Sequence, residues 1–119
     1  MAKILVADDQ ESMRVIIAGM LKENGHEIVT AEDGRQALEL FTQDHFDLVV
    51  ADVNMPKLDG LEFLKAARQI KPNAKIVFVT GMLEDTVKIG SESLGLNGLI
   101  LKPFEKKDAL ATLEKVLAL

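Results

Sequence analysis

Five short apolar runs, separated by segments with a helical repeat, constrain the fold of this chain more than any other feature of its sequence. The runs are rich in Val and Ile and are bounded by Gly, Asp, Asn or Pro, which is typical of buried β-strands. They cover residues 3–7, 27–30, 46–51, 75–80 and 99–101. Because nearly all of their residues are apolar, we predict strands that are covered on both faces, as in a parallel sheet.

The segments between the runs repeat apolar residues every three to four positions, the period of an amphipathic helix. Gly25 is placed to end the first of these helices. The apolar stripes are Met13, Ile16, Ile17, Met20 and Leu21; Ala37, Leu40 and Phe41; Phe63, Leu64 and Ala67; and Ala109, Leu110, Leu113, Val116 and Leu117. A thinner stripe predicts a marginal helix over residues 84–94, because its interior glycine costs about 1 kcal/mol relative to alanine.

Alternation of strands and helices predicts an α/β protein with a doubly wound five-stranded parallel sheet and five helices on its two faces. Right-handed crossovers bring the carboxyl ends of all the strands to one edge, and open sheets of this type bind ligands there. With 119 residues and a last helix that runs to Leu119, we expect a single domain over residues 1–119.

Composition excludes several classes of protein. The chain has no cysteine, which rules out disulfides and thiolate metal sites and favours a reducing compartment. The net charge of -5 argues against a nucleic-acid-binding surface. No apolar run is long enough to span a membrane and no cleavable signal precedes the first strand, so we expect a cytoplasmic protein without membrane insertion.

Polar residues with complementary chemistry end four of the five strands. Asp8 and Asp9 follow the first strand, Asp52 follows the third, Thr80 ends the fourth and Lys102 follows the fifth. The predicted topology brings them to one small site, where three carboxylates would repel each other unless they are neutralised. An oxygen-only ligand set suits Mg²⁺, and the main-chain carbonyl of Asn54 could complete it.

This set of residues has the parts that phosphoryl transfer needs. A metal ion, the Lys102 ammonium and the Thr80 hydroxyl together could hold three phosphoryl oxygens. A carboxylate can be the nucleophile and form an aspartyl phosphate.

Motifs at the same strand ends give the sequence a family resemblance. They are VADDQ (6–10), DVNMPKLDG (52–60), VTG (79–81) and LKPF (101–104), with SMR (12–14) and AEDG (31–34) between them. In order and spacing they resemble the response-regulator receiver domain, the CheY-like phosphoacceptor module of two-component signalling, over the whole chain.

The resemblance implies strand order 2-1-3-4-5 and a role for each site residue. Asp52 would be the phosphoacceptor, and Thr80 and Lys102 would contact the phosphoryl oxygens. Asp9 would bind Mg²⁺ directly and Asp8 mainly through water, and the metal site would be completed by Asp52 and the main-chain carbonyl of Asn54. The peptide bond between Lys102 and Pro103 would be cis.

The resemblance also implies partners and a readout. A sensor histidine kinase or phosphotransfer protein would donate the phosphoryl group. The face formed by helix 4 (the predicted helix 84–94), strand 5 (99–101) and helix 5 (the last helix) would switch a downstream protein. The domain would be a monomer or a phosphorylation-dependent dimer, and no enzyme beyond its own phosphorylation and dephosphorylation. Many receivers carry Tyr or Phe three residues before the lysine, where this chain has Leu99, so the aromatic half of the usual switch is missing.

Residues at the same positions argue against enzyme functions on this fold, and two non-enzyme alternatives are a pseudo-receiver and a receiver fragment. A dinucleotide enzyme would need G-x-G-x-x-G where Asp8-Asp9-Gln10 stands, and an aspartyl phosphatase would need a second acid where Asn54 stands. A pseudo-receiver that only binds partners would lack one of the acids or the lysine, all of which are present. The sequence does not separate a stand-alone receiver from a fragment of a longer regulator.

Overall fold

The fold was obtained as a computed structural model, which describes residues 1–81 and 94–119. Within them, five parallel strands form one sheet in the order β2-β1-β3-β4-β5. The strands are β1 (Lys3–Ala7), β2 (Glu27–Ala31), β3 (Leu48–Ala51), β4 (Ile76–Thr80) and β5 (Gly98–Leu101). The helices are α1 (Glu11–Glu23), α2 (Gly34–Gln43), α3 (Gly60–Ile70) and α4 (Lys106–Leu117). The predicted doubly wound fold and strand order are confirmed.

The sequence also predicts a helix over residues 84–94, between β4 and β5, and all of these residues except Leu94 lie outside the described part of the chain. Six of the ten predicted strand limits coincide with the observed ones, and three differ by a single residue. The largest difference is at β3, which begins at Leu48 and not at residue 46. Asp47 directly precedes β3, where its main-chain N–H donates to the Lys3 oxygen at 2.7 Å and its carboxylate accepts from the Lys3 main-chain N–H at 2.8 Å.

Helices cover both faces of the sheet. On one face, α2 and α3 pack through Phe41 and Phe63, whose rings meet edge to face with centroids 5.7 Å apart. On the other face, α1 and α4 pack through residues such as Leu21 and Leu113. Every residue of β3 and β4 is buried, as a sheet between two helical layers requires.

One predicted core position is wrong. Ile16 is 53% exposed, and Val15 beside it is 63% exposed. The buried side of α1 consists of Ile17, Ala18, Met20 and Leu21. Successive helical residues point about 100° apart, so a face centred on these four residues leaves position 16 at its edge. Gly25 does follow the end of the helix with φ +85°, as predicted.

Two glycines let the loop after β3 pack tightly against its neighbours. A Cβ atom on Gly34, at the start of α2, would lie 1.7 Å from the main-chain oxygen of Leu58. A Cβ atom on Gly60 would lie 2.8 Å from the main-chain oxygen of Asp52. Neither contact is possible for a real side chain, so these glycines hold the loop 53–59 in place directly after Asp52.

We expect Gly34→Ala to lower the free energy of unfolding by about 1–3 kcal/mol, because the loop and α2 must move apart. Gly19→Ala is the matched control, since a Cβ atom there meets nothing within 4 Å. In the interior of α1 that change should raise stability by about 0.5–1 kcal/mol. Urea denaturation of both variants measures the difference, and equal stabilities would contradict the packing argument.

Among the helices of residues 1–81 and 94–119, none combines the length and the apolar character that crossing a membrane requires.

Candidate functional site

The predicted site residues lie at the carboxyl-terminal edge of the sheet, each at the end of a strand. Asp8 and Asp9 follow β1, Asp52 follows β3, Thr80 is the last residue of β4 and Lys102 follows β5. Main-chain hydrogen bonds tie these ends together, from Asp52 N to the Ala7 oxygen at 3.0 Å and from Lys102 N to the Thr80 oxygen at 2.8 Å. The site therefore rests on the sheet and not on a free loop.

Three carboxylates converge at this edge. Asp8, Asp9 and Asp52 each contribute an oxygen, and these oxygens all lie within 4.8 Å of one another. Asp8 is 1% exposed and Asp52 8% exposed, whereas Asp9 is exposed to solvent. The cluster thus has a buried floor and one open side, through which a ligand can approach.

The two buried carboxylates are held in the same way. One oxygen of each accepts a hydrogen bond from the main chain two residues later, from Gln10 N to Asp8 Oδ1 at 2.9 Å and from Asn54 N to Asp52 Oδ1 at 3.3 Å. The other oxygen of each contacts the ammonium of Lys102, at 3.2 Å for Asp8 and 3.0 Å for Asp52. Lys102 is therefore the counter-charge that these carboxylates share.

Burial and charge change the proton affinities in the site. Burial raises the pKa of Asp8 above its ordinary value of 3.8, and the Asp52 charge adds to the rise against the opposing effects of Gln10 N–H and Lys102. Burial alone would lower the pKa of Lys102, but its bonds to Asp52 and the charges of Asp52 and Asp8 raise that pKa above 10.5. The lysine is thus firmly charged.

The residues present fit a small divalent cation. The donors are oxygen atoms from three carboxylates, which is the chemistry that Mg²⁺ prefers, and the exposed side at Asp9 leaves access for the waters that Mg²⁺ retains. Within the described part of the chain, no other group of three acidic or histidine side chains has such spacing. The direct and water-mediated roles of Asp9 and Asp8, and the role of the Asn54 carbonyl, stay predictions.

Thr80 and Leu99 lie where the sequence placed them, but their roles stay predictions. Thr80 is 1% exposed at the end of β4. Leu99, in the middle of β5, is partly buried against the cluster formed with α2 and α3. The Lys102–Pro103 peptide bond is cis, as expected.

The structure adds residues to the site that sequence reasoning did not single out. Gly34 and Gly60 fix the loop after Asp52, as described above, and the D-G pairs at 33–34 and 59–60 were the available signal. Arg14 donates a hydrogen bond from Nη1 to the main-chain oxygen of Asp8 at 2.7 Å. Its presence in the SMR motif gave no indication of that contact.

The chain matches the family described as "Response regulator receiver domain" over residues 4–114. It is 36% identical over 116 residues to the chemotaxis protein CheY of Bacillus subtilis, covering 97% of each chain. It is 40% identical over 115 residues to a probable transcriptional regulator, ycf27, of Galdieria sulphuraria, and there it covers 97% of this chain but 45% of the relative.

A solved structure agrees with these relatives. The response regulator protein TrrA of Thermotoga maritima, determined in complex with Mg²⁺-BeF, superposes with a TM-score of 0.89 at 33% identity, covering 98% of this chain and 99% of that one. A doubly wound sheet with three acids and a lysine at its carboxyl edge defines the class of protein. The chain belongs to the response regulator receiver domain family of two-component systems.

Proposed function

We propose that this receiver domain accepts a phosphoryl group on Asp52 from a phosphohistidine of a sensor histidine kinase or phosphotransfer protein, in a reaction that requires Mg²⁺. The observation that carries the proposal is the convergence of Asp52 with two further carboxylates and Lys102 at an open sheet edge. An Asp52 oxygen attacks phosphorus as the P–N bond of the donor breaks, and the donor histidine leaves with a proton from solvent.

Each residue of the site has a task in this reaction. The Lys102 ammonium lies 3.0 Å from an Asp52 oxygen. It can therefore contact the negatively charged phosphoryl oxygens once Asp52 carries the group. The Thr80 hydroxyl is a further donor for the same group. Mg²⁺ would be held by Asp8, Asp9, Asp52 and the Asn54 carbonyl, and it would supply positive charge beside the phosphoryl group.

The proposed output is a change of surface. Phosphorylation would draw Thr80 and Lys102 toward the new group. It would shift the face that the resemblance assigns to the predicted helix 84–94, β5 and α4, and this face would control a downstream protein or an output domain. The domain would be a cytoplasmic switch that catalyses only its own phosphorylation and dephosphorylation. It would act as a monomer or form a dimer when phosphorylated.

The proposal is tested by incubating the protein with a small phosphodonor such as acetyl phosphate and measuring its intact mass. We expect a gain of one phosphoryl group with Mg²⁺ and none when the metal is chelated. If the wild-type protein gains no mass under either condition, the domain is an interaction module that does not use phosphorylation.

We also expect Mg²⁺ alone to stabilise the fold. A cation that binds only the folded site adds about 2.7 kcal/mol at a concentration of about 100 times its Kd, and relief of carboxylate repulsion favours such binding. The Asp9→Asn variant should lose most of the rise in Tm, because it removes the exposed carboxylate of the cluster. Glu11→Gln, an exposed change of equal charge on α1, should keep it. A similar rise in both variants would contradict a site at Asp9.

A further inference from the structure

Every polar atom of Asp8 is bonded within the protein. Its N–H donates to the Ala31 oxygen at 3.2 Å, and its two carboxylate oxygens accept from Gln10 N and Lys102 as described above. Its main-chain oxygen accepts from Arg14 Nη1 at 2.7 Å. Arg14 lies in the first turns of α1, so its side chain reaches back over the loop between β1 and α1.

The Arg14 contact acts on the peptide that joins the two acids. The main-chain oxygen of Asp8 belongs to the peptide between Asp8 and Asp9, and that peptide is planar. A bond that fixes the oxygen therefore also fixes the N and Cα atoms of Asp9. Nothing else fixes the position of Asp9, since no hydrogen bond or ion pair of its carboxylate is found among residues 1–81 and 94–119.

In the described part of the chain, Arg14 has no acidic partner that would account for the position of its side chain. Among the residues that the structure describes, no carboxylate oxygen lies within 4.0 Å of its guanidinium. A guanidinium near a cation site also repels the cation. If Arg14 acted only through its charge, its removal would strengthen metal binding.

We infer that Arg14 is a positioning residue for the metal site: its bond to the Asp8–Asp9 peptide turns the exposed Asp9 carboxylate toward Asp8 and Asp52. The inference rests on the proposed function, because it assumes that these three acids hold a divalent cation. Partners that orient metal ligands typically change affinity by about 10- to 100-fold when they are removed. The positioning effect and the charge effect on metal affinity therefore have opposite signs.

The test compares Arg14→Met with Arg35→Met, using the full chain. Met keeps the length of the side chain and removes its charge and its donors. Arg35 is exposed on α2, so its replacement changes the net charge equally. Mn²⁺ is the probe, since it takes the same oxygen ligands as Mg²⁺, and free Mn²⁺ is measured by electron paramagnetic resonance. Exchange of the Gln10 amide proton, measured by NMR without metal, reports on the loop itself.

We expect Arg14→Met to bind Mn²⁺ about tenfold more weakly and to exchange the Gln10 amide faster, with Arg35→Met like the wild type in both respects. Unchanged or tighter binding by Arg14→Met would overturn the inference, whatever the amide does, and leave the proposed function standing. If the wild-type protein itself binds no Mn²⁺, both the inference and the Mg²⁺ requirement of the proposed function fail.

Discussion

The Asp52→Asn variant should gain no phosphoryl group from a small phosphodonor and Mg²⁺, while the wild-type protein gains one. The amide lacks the negative charge and the nucleophilic oxygen that attack at phosphorus requires. It keeps an oxygen that can accept the hydrogen bond from Asn54 N, which the Asp52 carboxylate accepts at 3.3 Å. The loss of phosphoryl uptake should therefore come from the missing nucleophile, with the conformation of the loop unchanged.

Two measurements separate this result from unfolding. Without metal, Asp52→Asn should be at least as stable as the wild type, because it removes one of the repelling carboxylates. Asp59→Asn is the matched control in the same loop: Asn can still cap α3, where the Asp59 side chain accepts from Glu62 N at 2.8 Å. That control should keep full uptake. If Asp52→Asn takes up as much phosphoryl group as the wild type, the acceptor is another residue.

The sheet and the position of the site follow from the sequence because both depend on local patterns. Apolar runs with helical segments between them define parallel strands, and parallel strands bring their carboxyl ends together. Once Asp8, Asp52 and Lys102 are assigned to strand ends, their proximity follows without any knowledge of side-chain packing.

The remaining features depend on packing and side-chain contacts that the apolar pattern does not define. The edge position of Ile16 is set by how α1 rotates against the sheet and α4, and apolar spacing defines a face only to within a residue or two. The close contact of Gly34 with Leu58 and the Arg14 bond to Asp8 join residues whose pairing no short motif encodes. A sequence pattern can name these residues, but only the packed chain shows what they contact.

Lys102→Met should lower the free energy of unfolding by about 3 kcal/mol at neutral pH without metal. Lys102 is the cation in contact with both Asp8 and Asp52, at 3.2 and 3.0 Å, and its side chain is 18% exposed. Removing it leaves two buried carboxylates facing each other, and an uncompensated buried charge is among the most costly changes a fold can receive. Mg²⁺ should restore much of the loss, because it supplies the missing positive charge.

The pKa of Asp8 determines how the stability deficit of Lys102→Met changes with pH. The pKa of Asp8 is already raised above 3.8 by burial, against the opposing effect of Lys102, so removing the lysine raises it further. A carboxyl with a raised pKa stabilises the folded state below its unfolded pKa, and that contribution is lost as pH rises through the folded pKa. The deficit of Lys102→Met should therefore shrink at mildly acidic pH. In the wild type, the raised pKa of Lys102 gives stability that is complete below 10.5 and is lost as pH rises through the folded value.

Lys106→Met is the control for this change, because it removes a lysine of the same length four residues later. Lys106 pairs with Glu23 at 2.6 Å, but both side chains are more than half exposed, and such surface pairs contribute about 0–1 kcal/mol. The free energy of unfolding of the two variants is measured by urea denaturation, with and without Mg²⁺ and at two pH values. Lys102→Met should show a large loss that depends on metal and on pH. Lys106→Met should show a small loss that depends on neither. Equal losses in the two would mean that Asp8 and Asp52 do not depend on Lys102 for charge compensation.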